Sequence, residues 1–216
     1  MSVKDFMTEN LVSVTPETKI FDAVDLMKKY DIHRLPVVAN DQLVGLITEG
    51  TIQEALPSKA TSLSVYEVNY LLNKTVVADV MIKEVKTVAP DAELEDGIYL
   101  MRQNKINVLP VLAGDKLVGI ITNNDIFDAF LKLTGYYEGG TRIQLKILED
   151  KKGVLARVAK VLADHDFSIL TVIVDHQANA TILEIQLASK ETEKIKQLLT
   201  DNGYEVLRAA STQPSF

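Results

Sequence analysis

The feature that most constrains this fold is an internal repeat. Residues 3–56 recur at 77–130 at a fixed offset of 74 positions without a gap, and about twenty of them are identical. Pro16 returns as Pro90, Leu35-Pro36-Val37 as Leu109-Pro110-Val111, and Leu43-Val44-Gly45 as Leu117-Val118-Gly119. The apolar positions Ile20, Val24 and Met27, one face of a helix, return as Leu94, Ile98 and Met101. Two copies of one unit are expected to pack as a pseudo-twofold pair with two related clefts between them.

Each copy reads β-α-β-β-α. In the first, a loop leads into a short strand from Leu11 to Val14, which Pro16 stops, and Thr18 is placed to cap the following helix. Strands follow at Leu35 to Val38 and Leu43 to Thr48, joined at Asn40-Asp41, and then a helix from Thr51 to Leu56. The corresponding helix of the second copy is predicted over Ile126 to Lys132. The domains are thus expected at 1–56 and 77–134, with a linker at 57–76 whose stretch Val65 to Leu72 reads as a short amphipathic helix. The glycine-rich run 135–140 reads as a hinge.

The last part, 141–210, changes rhythm. Arg142 to Leu148 alternates as a strand, Asp150 to Gly153 forms a turn, and Val154, Leu155, Val158, Val161 and Leu162 mark an amphipathic helix. Strands at Ile169 to Val174 and Ala180 to Leu187 flank a turn at His176 to Asn179. A helix at Lys190 to Leu199 and a strand at Tyr204 to Leu207 complete the segment. The order β-α-β-β-α-β is the ferredoxin-like one, so the fold class is α+β throughout.

Chemistry concentrates where the second copy's apolar run, Leu117 to Ile121, ends in Thr122-Asn123-Asn124-Asp125. A strand delivering its end to a helix start presents unpaired N–H groups, a natural phosphate seat. The Thr122 hydroxyl can donate to a phosphate and the Asp125 carboxylate can accept from ribose hydroxyls. The plainer alternative is that Asn124 and Asp125 merely begin a helix. The first copy differs here, with Thr51 at the Asp125 position and Glu49 at the turn.

The remaining composition excludes several classes. A net charge of −7 gives no general attraction for nucleic acid or an anionic membrane. Zero cysteines remove disulfides and thiol catalysis, and the three histidines show no spacing for a metal site. No apolar run reaches the ~18 residues of a membrane span, and Met1 to Asp5 lacks a signal-peptide pattern. A cytoplasmic protein is expected. No nucleophile, base and oxyanion donors converge, so no catalytic residues and no required cofactor are expected.

Leu-Pro-Val at 35–37 and 109–111, with Gly-x-x-Thr at 45–48 and 119–122, resembles the cystathionine-β-synthase (CBS) motif. A tandem pair is similar to a Bateman module, which implies binding of AMP, ADP, ATP or S-adenosylmethionine as a regulatory ligand. The resemblance implies a site of Ile120, Thr122, Asn123, Asn124 and Asp125, faced by His33, Arg34, Leu35 and Pro36, with Thr8 and Val12 as wall. It implies a second, weaker cleft at Thr48, Thr51, Asn107 and Val108. The segment Asp150 to Gly153 followed by Val154-Leu155 resembles the ACT domain, implying an effector site at Gly153, Val154, Leu155 and Ser168. It departs from that pattern at Lys152 and Ser168, so dimerisation is expected to be its main role. CBS pair followed by ACT resembles the acetoin-utilisation B family. The function expected is a non-enzymatic regulator acting on an unidentified protein target; the alternative is a scaffold without ligand binding. The face Ile20/Val24/Met27 and its copy are expected to be covered partly by the other unit, and the ACT resemblance implies sheets that pair edge to edge or side by side, so a homodimer is expected.

Overall fold

The computed structural model describes residues 1–55, 74–149 and 151–213. The chain divides into two compact units, Met1–Ile126 and Phe127–Phe216.

The first unit contains both repeats. A 3₁₀ turn at Val3–Asp5, read as loop from the sequence, precedes α1 (Ile20–Tyr30), β1 (Arg34–Ala39), β2 (Gln42–Thr48) and α2 (Glu49–Ala55). The second repeat gives α3 (Val77–Val80), α4 (Leu94–Asn104), β3 (Val108–Ala113), β4 (Lys116–Thr122) and α5 (Asn123–Leu133), the last continuing past the unit boundary. One sheet of order β1-β2-β4-β3 joins the repeats, and β2 meets β4 only at Gln42 and Lys116, positions related by the repeat. The expected helix at Val65 to Leu72 lies outside the described residues.

Backbone hydrogen bonds follow the repeat. Thr8 and Ile120 exchange two (2.9 and 3.0 Å), and Ile82 and Leu46 exchange their counterparts (2.8 and 3.0 Å). The opening segment of each repeat therefore crosses onto the other's sheet. This overturns the expected strand from Leu11 to Val14. After the crossing, the chain touches β1 only at Val14, through Val14 N–H to Pro36 O and Val38 N–H to Val14 O. The glycines before each turn have a packing reason. A Cβ at Gly119 would run into the sulfur of Met7, and one at Gly45 into that of Met81.

The core of the first repeat holds Leu35, Val37 and Ile47, all fully buried, and their counterparts Leu109, Val111 and Ile121 are buried likewise. Helix α1 contributes Ile20, Ala23 and Met27; Val24 lies nearer the edge of the stripe and is only partly buried. Val77 of the other repeat joins this cluster. The Ile20/Val24/Met27 face is thus covered within the chain, in part by the other repeat as expected, and does not stand open to a second copy. Thr18 does not cap α1 either, because its hydroxyl accepts from the Thr15 N–H at 3.1 Å.

Helix α1 and its repeat copy α4 both end in Schellman turns. Ile32 N–H reaches Met27 O at 2.9 Å with Asp31 left-handed at φ 52°, and Ile106 N–H reaches Met101 O at 3.0 Å with Lys105 at φ 54°. The first turn throws the chain from α1 directly into β1, carrying Asp31 to Arg34 across one cleft.

The second unit continues with β5 (Gly140–Ile147), α6 (Val154–Ala163), β6 (Ile169–Gln177), β7 (Ala180–Leu187), α7 (Thr192–Asp201) and β8 (Glu205–Thr212). The antiparallel sheet has the order β6-β7-β5-β8, the ferredoxin-like arrangement. Ile143, Leu145, Val158, Leu162, Ile185 and Leu199 lead its core. His176 and Gln177 extend β6 where a turn was expected, and β8 runs five residues past Leu207, to Thr212. Gly140 opens β5, so the expected hinge is in part strand. Asp150 of the expected turn lies outside the described residues. No helix among the described residues is long and apolar enough to cross a membrane.

Candidate functional site

At the junction of β4 and α5, Thr122-Asn123-Asn124-Asp125 forms a capping box. Asp125 Oδ2 accepts from Thr122 N–H and from Thr122 Oγ1, each at 2.7 Å, and the Asp125 N–H donates to Thr122 Oγ1 at 3.4 Å. Helix α5 therefore starts at Asn123, three residues before the expected Ile126, with Thr122 as its cap. One carboxylate oxygen braces the turn. The other, Oδ1, makes no hydrogen bond among the described residues.

The first repeat builds the same turn with Thr51. Thr48 N–H donates to Thr51 Oγ1 at 3.0 Å, Thr51 Oγ1 donates to Thr48 O at 2.9 Å, and Thr51 N–H donates to Thr48 Oγ1 at 3.1 Å. The single hydroxyl proton of Thr51 is spent on the Thr48 carbonyl. The two turns share a brace, but only one leaves an acceptor over.

A cavity of about 240 Å³ opens beside Asp125. Thr8, Val12, His33, Arg34, Pro36, Ile120, Thr122, Asn124 and Asp125 line it, together with four residues not expected from the sequence: Asn10, Leu11, Asp31 and Ile32. Of the expected set, Leu35 and Asn123 are not in the lining. Leu35 is fully buried, because the strand pleat aims it into the core while its neighbours Arg34 and Pro36 face the cavity. Asn10 and Leu11 arrive with the crossing opening segment. Asp31 and Ile32 arrive with a Schellman turn that lacks the usual glycine, so nothing in the sequence announced them.

Arg34 is the partly buried cation of this cavity. Burial depresses its pKa, while Asp125 and then Glu49 pull it back up. Its Nη1 donates to Asn107 O at 3.3 Å, and its Nε is buried with no hydrogen-bond partner among the described residues. An unsatisfied buried donor on a guanidinium is costly and suits an incoming anion. Beside it, His33 Nδ1 lies 3.1 Å from Glu49 Oε2.

In the second cleft, Asn107 presents its carbonyl to Arg34 and to the Asn123 N–H. Val108 is buried. In the second unit, Val154 is likewise buried, while Leu155 and Ser168 are exposed and Gly153 takes φ 87° at the start of α6. Among the described residues no group of three or more His, Asp or Glu side chains is placed to hold a metal.

With this geometry in place, the class of protein can be stated: the chain belongs to the CBS domain family, which matches residues 3–58 and 77–132. It is 34% identical over 125 residues to the CBS domain-containing protein YhcV of Bacillus subtilis, covering 58% of this chain and 82% of that one. It is 29% identical over 210 residues to an inosine-5'-monophosphate dehydrogenase of Methanocaldococcus jannaschii, covering 94% of this chain but only 37% of the dehydrogenase. Among solved structures, a Vibrio cholerae protein ascribed to acetoin utilization (AcuB) superposes with a TM-score of 0.52 at 33% identity, covering 62% of this chain and 92% of that one. CBSX2 of Arabidopsis thaliana in complex with AMP gives 0.52 at 31% identity, covering 61% and 97%. The CBS pair of protein MJ0100, in complex with 5-methylthioadenosine and S-adenosyl-L-methionine, gives 0.50 at 26% identity, covering 60% and 95%.

Proposed function

We propose that this chain is a non-enzymatic, cytoplasmic regulatory protein that senses an adenine nucleotide or adenosyl ligand (AMP, ADP, ATP or S-adenosylmethionine) in the cavity beside Asp125. The observation that carries this reading is the uncommitted Asp125 Oδ1 at the cavity, with the half-satisfied Arg34 guanidinium in the same lining. Asp125 accepts from the ribose hydroxyls, Arg34 and His33 receive a phosphate, and Val12, Pro36 and Ile120 supply apolar wall for the base. The complexes of CBSX2 with AMP and of MJ0100 with adenosyl compounds support the ligand class.

Signalling follows from differential affinity. A ligand shifts the pair between two arrangements only as far as it binds them differently, and a protein target reads the altered surface. The second unit acts as an ACT domain whose main role is to join two chains. Its strand order supports this, as does β6, an edge strand with Leu170, Ile173 and Val174 exposed. Calorimetry with AMP, ADP, ATP and S-adenosylmethionine tests the sensing role. One binding event per chain with at least one of them is expected, and heat from none of the four overturns the reading.

A further inference from the structure

Glu49 does not line the cavity, yet it holds His33, which does, at both ends. Its backbone N–H donates to His33 O at 3.0 Å, and its carboxylate Oε2 lies 3.1 Å from His33 Nδ1. The repeat supplies an internal comparison. The counterpart contact, Asn123 N–H to Asn107 O at 3.1 Å, keeps the backbone bond, but both side chains there are neutral amides. The acid–imidazole pair has therefore been added to a turn that closes without it. Arg34 lies within the same field, its pKa lowered by burial and only partly restored by Asp125 and then Glu49.

We infer that Glu49 is a resident anion of the site, occupying His33 so that a ligand phosphate reaches that imidazole only in competition with it. The inference rests on the nucleotide reading of the Asp125 cavity and adds what sets its selectivity. A ligand without phosphate leaves the His33–Glu49 pair in place and meets no such competitor. A phosphorylated ligand must draw His33 away from Glu49, and the two anions repel one another. Glu49 thus lowers the site's preference for phosphate over neutral adenosyl ligands, and does so from outside the lining.

The test compares AMP with adenosine by calorimetry on the full chain, in the wild type and in Glu49→Asn, which installs the residue that the second repeat carries at this position. AMP is expected to tighten about two- to fivefold, the range of an exposed ion pair, while adenosine stays unchanged and the stoichiometry stays at one. In a His33→Asn background the gain from Glu49→Asn is expected to shrink. Unchanged or weaker AMP binding in Glu49→Asn, equal tightening of adenosine, or a second AMP site each overturns the role of Glu49 while leaving the nucleotide reading intact. Failure of the wild type to bind either compound removes that reading, and this inference with it.

Discussion

Asp125 Oδ2 takes two hydrogen bonds of 2.7 Å from Thr122, and the hydroxyl of Thr51 does the same bracing for Thr48 in the other repeat. One position thus performs one structural task twice, and only the aspartate has a carboxylate oxygen left for a ligand.

Thr51→Ala is expected to cost about 0.5–2 kcal/mol of stability, the value of a lost helix cap, because it removes the bonds to Thr48. AMP affinity is expected to stay within twofold. A urea titration beside a calorimetric one checks both, and a large loss of affinity contradicts the inequality of the two clefts.

Gly119→Ala is expected to destabilise by about 1–3 kcal/mol, since its Cβ meets Met7 of the crossing segment. Gly45→Ala should cost a similar amount through Met81. Equilibrium denaturation measures the change, and a neutral outcome at both positions contradicts the close crossing.

How far the sequence was legible follows from such particulars. The offset of 74 residues exposed the repeat, and with it the strand pairs and the turn at Thr122. Thr-x-x-Asp also reads as a capping box, but the start of α5 was missed because the asparagines at 123 and 124 are themselves good caps. The side of Leu35 was missed because the Leu-Pro-Val motif had placed it in the cleft, whereas the pleat sends only its neighbours there. The crossing of the opening segments left no local signature, since it depends on backbone bonds between Thr8 and Ile120, residues far apart in the chain.

The Schellman turns give a separate test. Lys105 sits at φ 54°, a conformation that disfavours a side chain. Lys105→Gly is expected to raise stability by about 0.5–1 kcal/mol, with nucleotide binding unchanged, because Lys105 is outside the Asp125 cavity. Thermal unfolding checks the sign, and a lowered midpoint contradicts the assignment.

Assembly is tested through β6. Light scattering at tens of micromolar is expected to give the mass of two 23.9 kDa chains. Ile173→Lys, which places a charge on the exposed edge strand, should shift the population to monomer. A wild type that is strictly monomeric removes the dimerisation role.

The most direct measurement for the central claim is AMP titration of Asp125→Thr. The first repeat shows that threonine at this position braces the turn, so the variant keeps the fold and loses the spare carboxylate oxygen together with its charge. A hydrogen bond to a charged group is worth about 1.5–3 kcal/mol, so affinity should fall roughly ten- to a hundredfold with stability nearly unchanged. Wild-type affinity in Asp125→Thr, or two equal sites per chain in the wild type, would contradict the account.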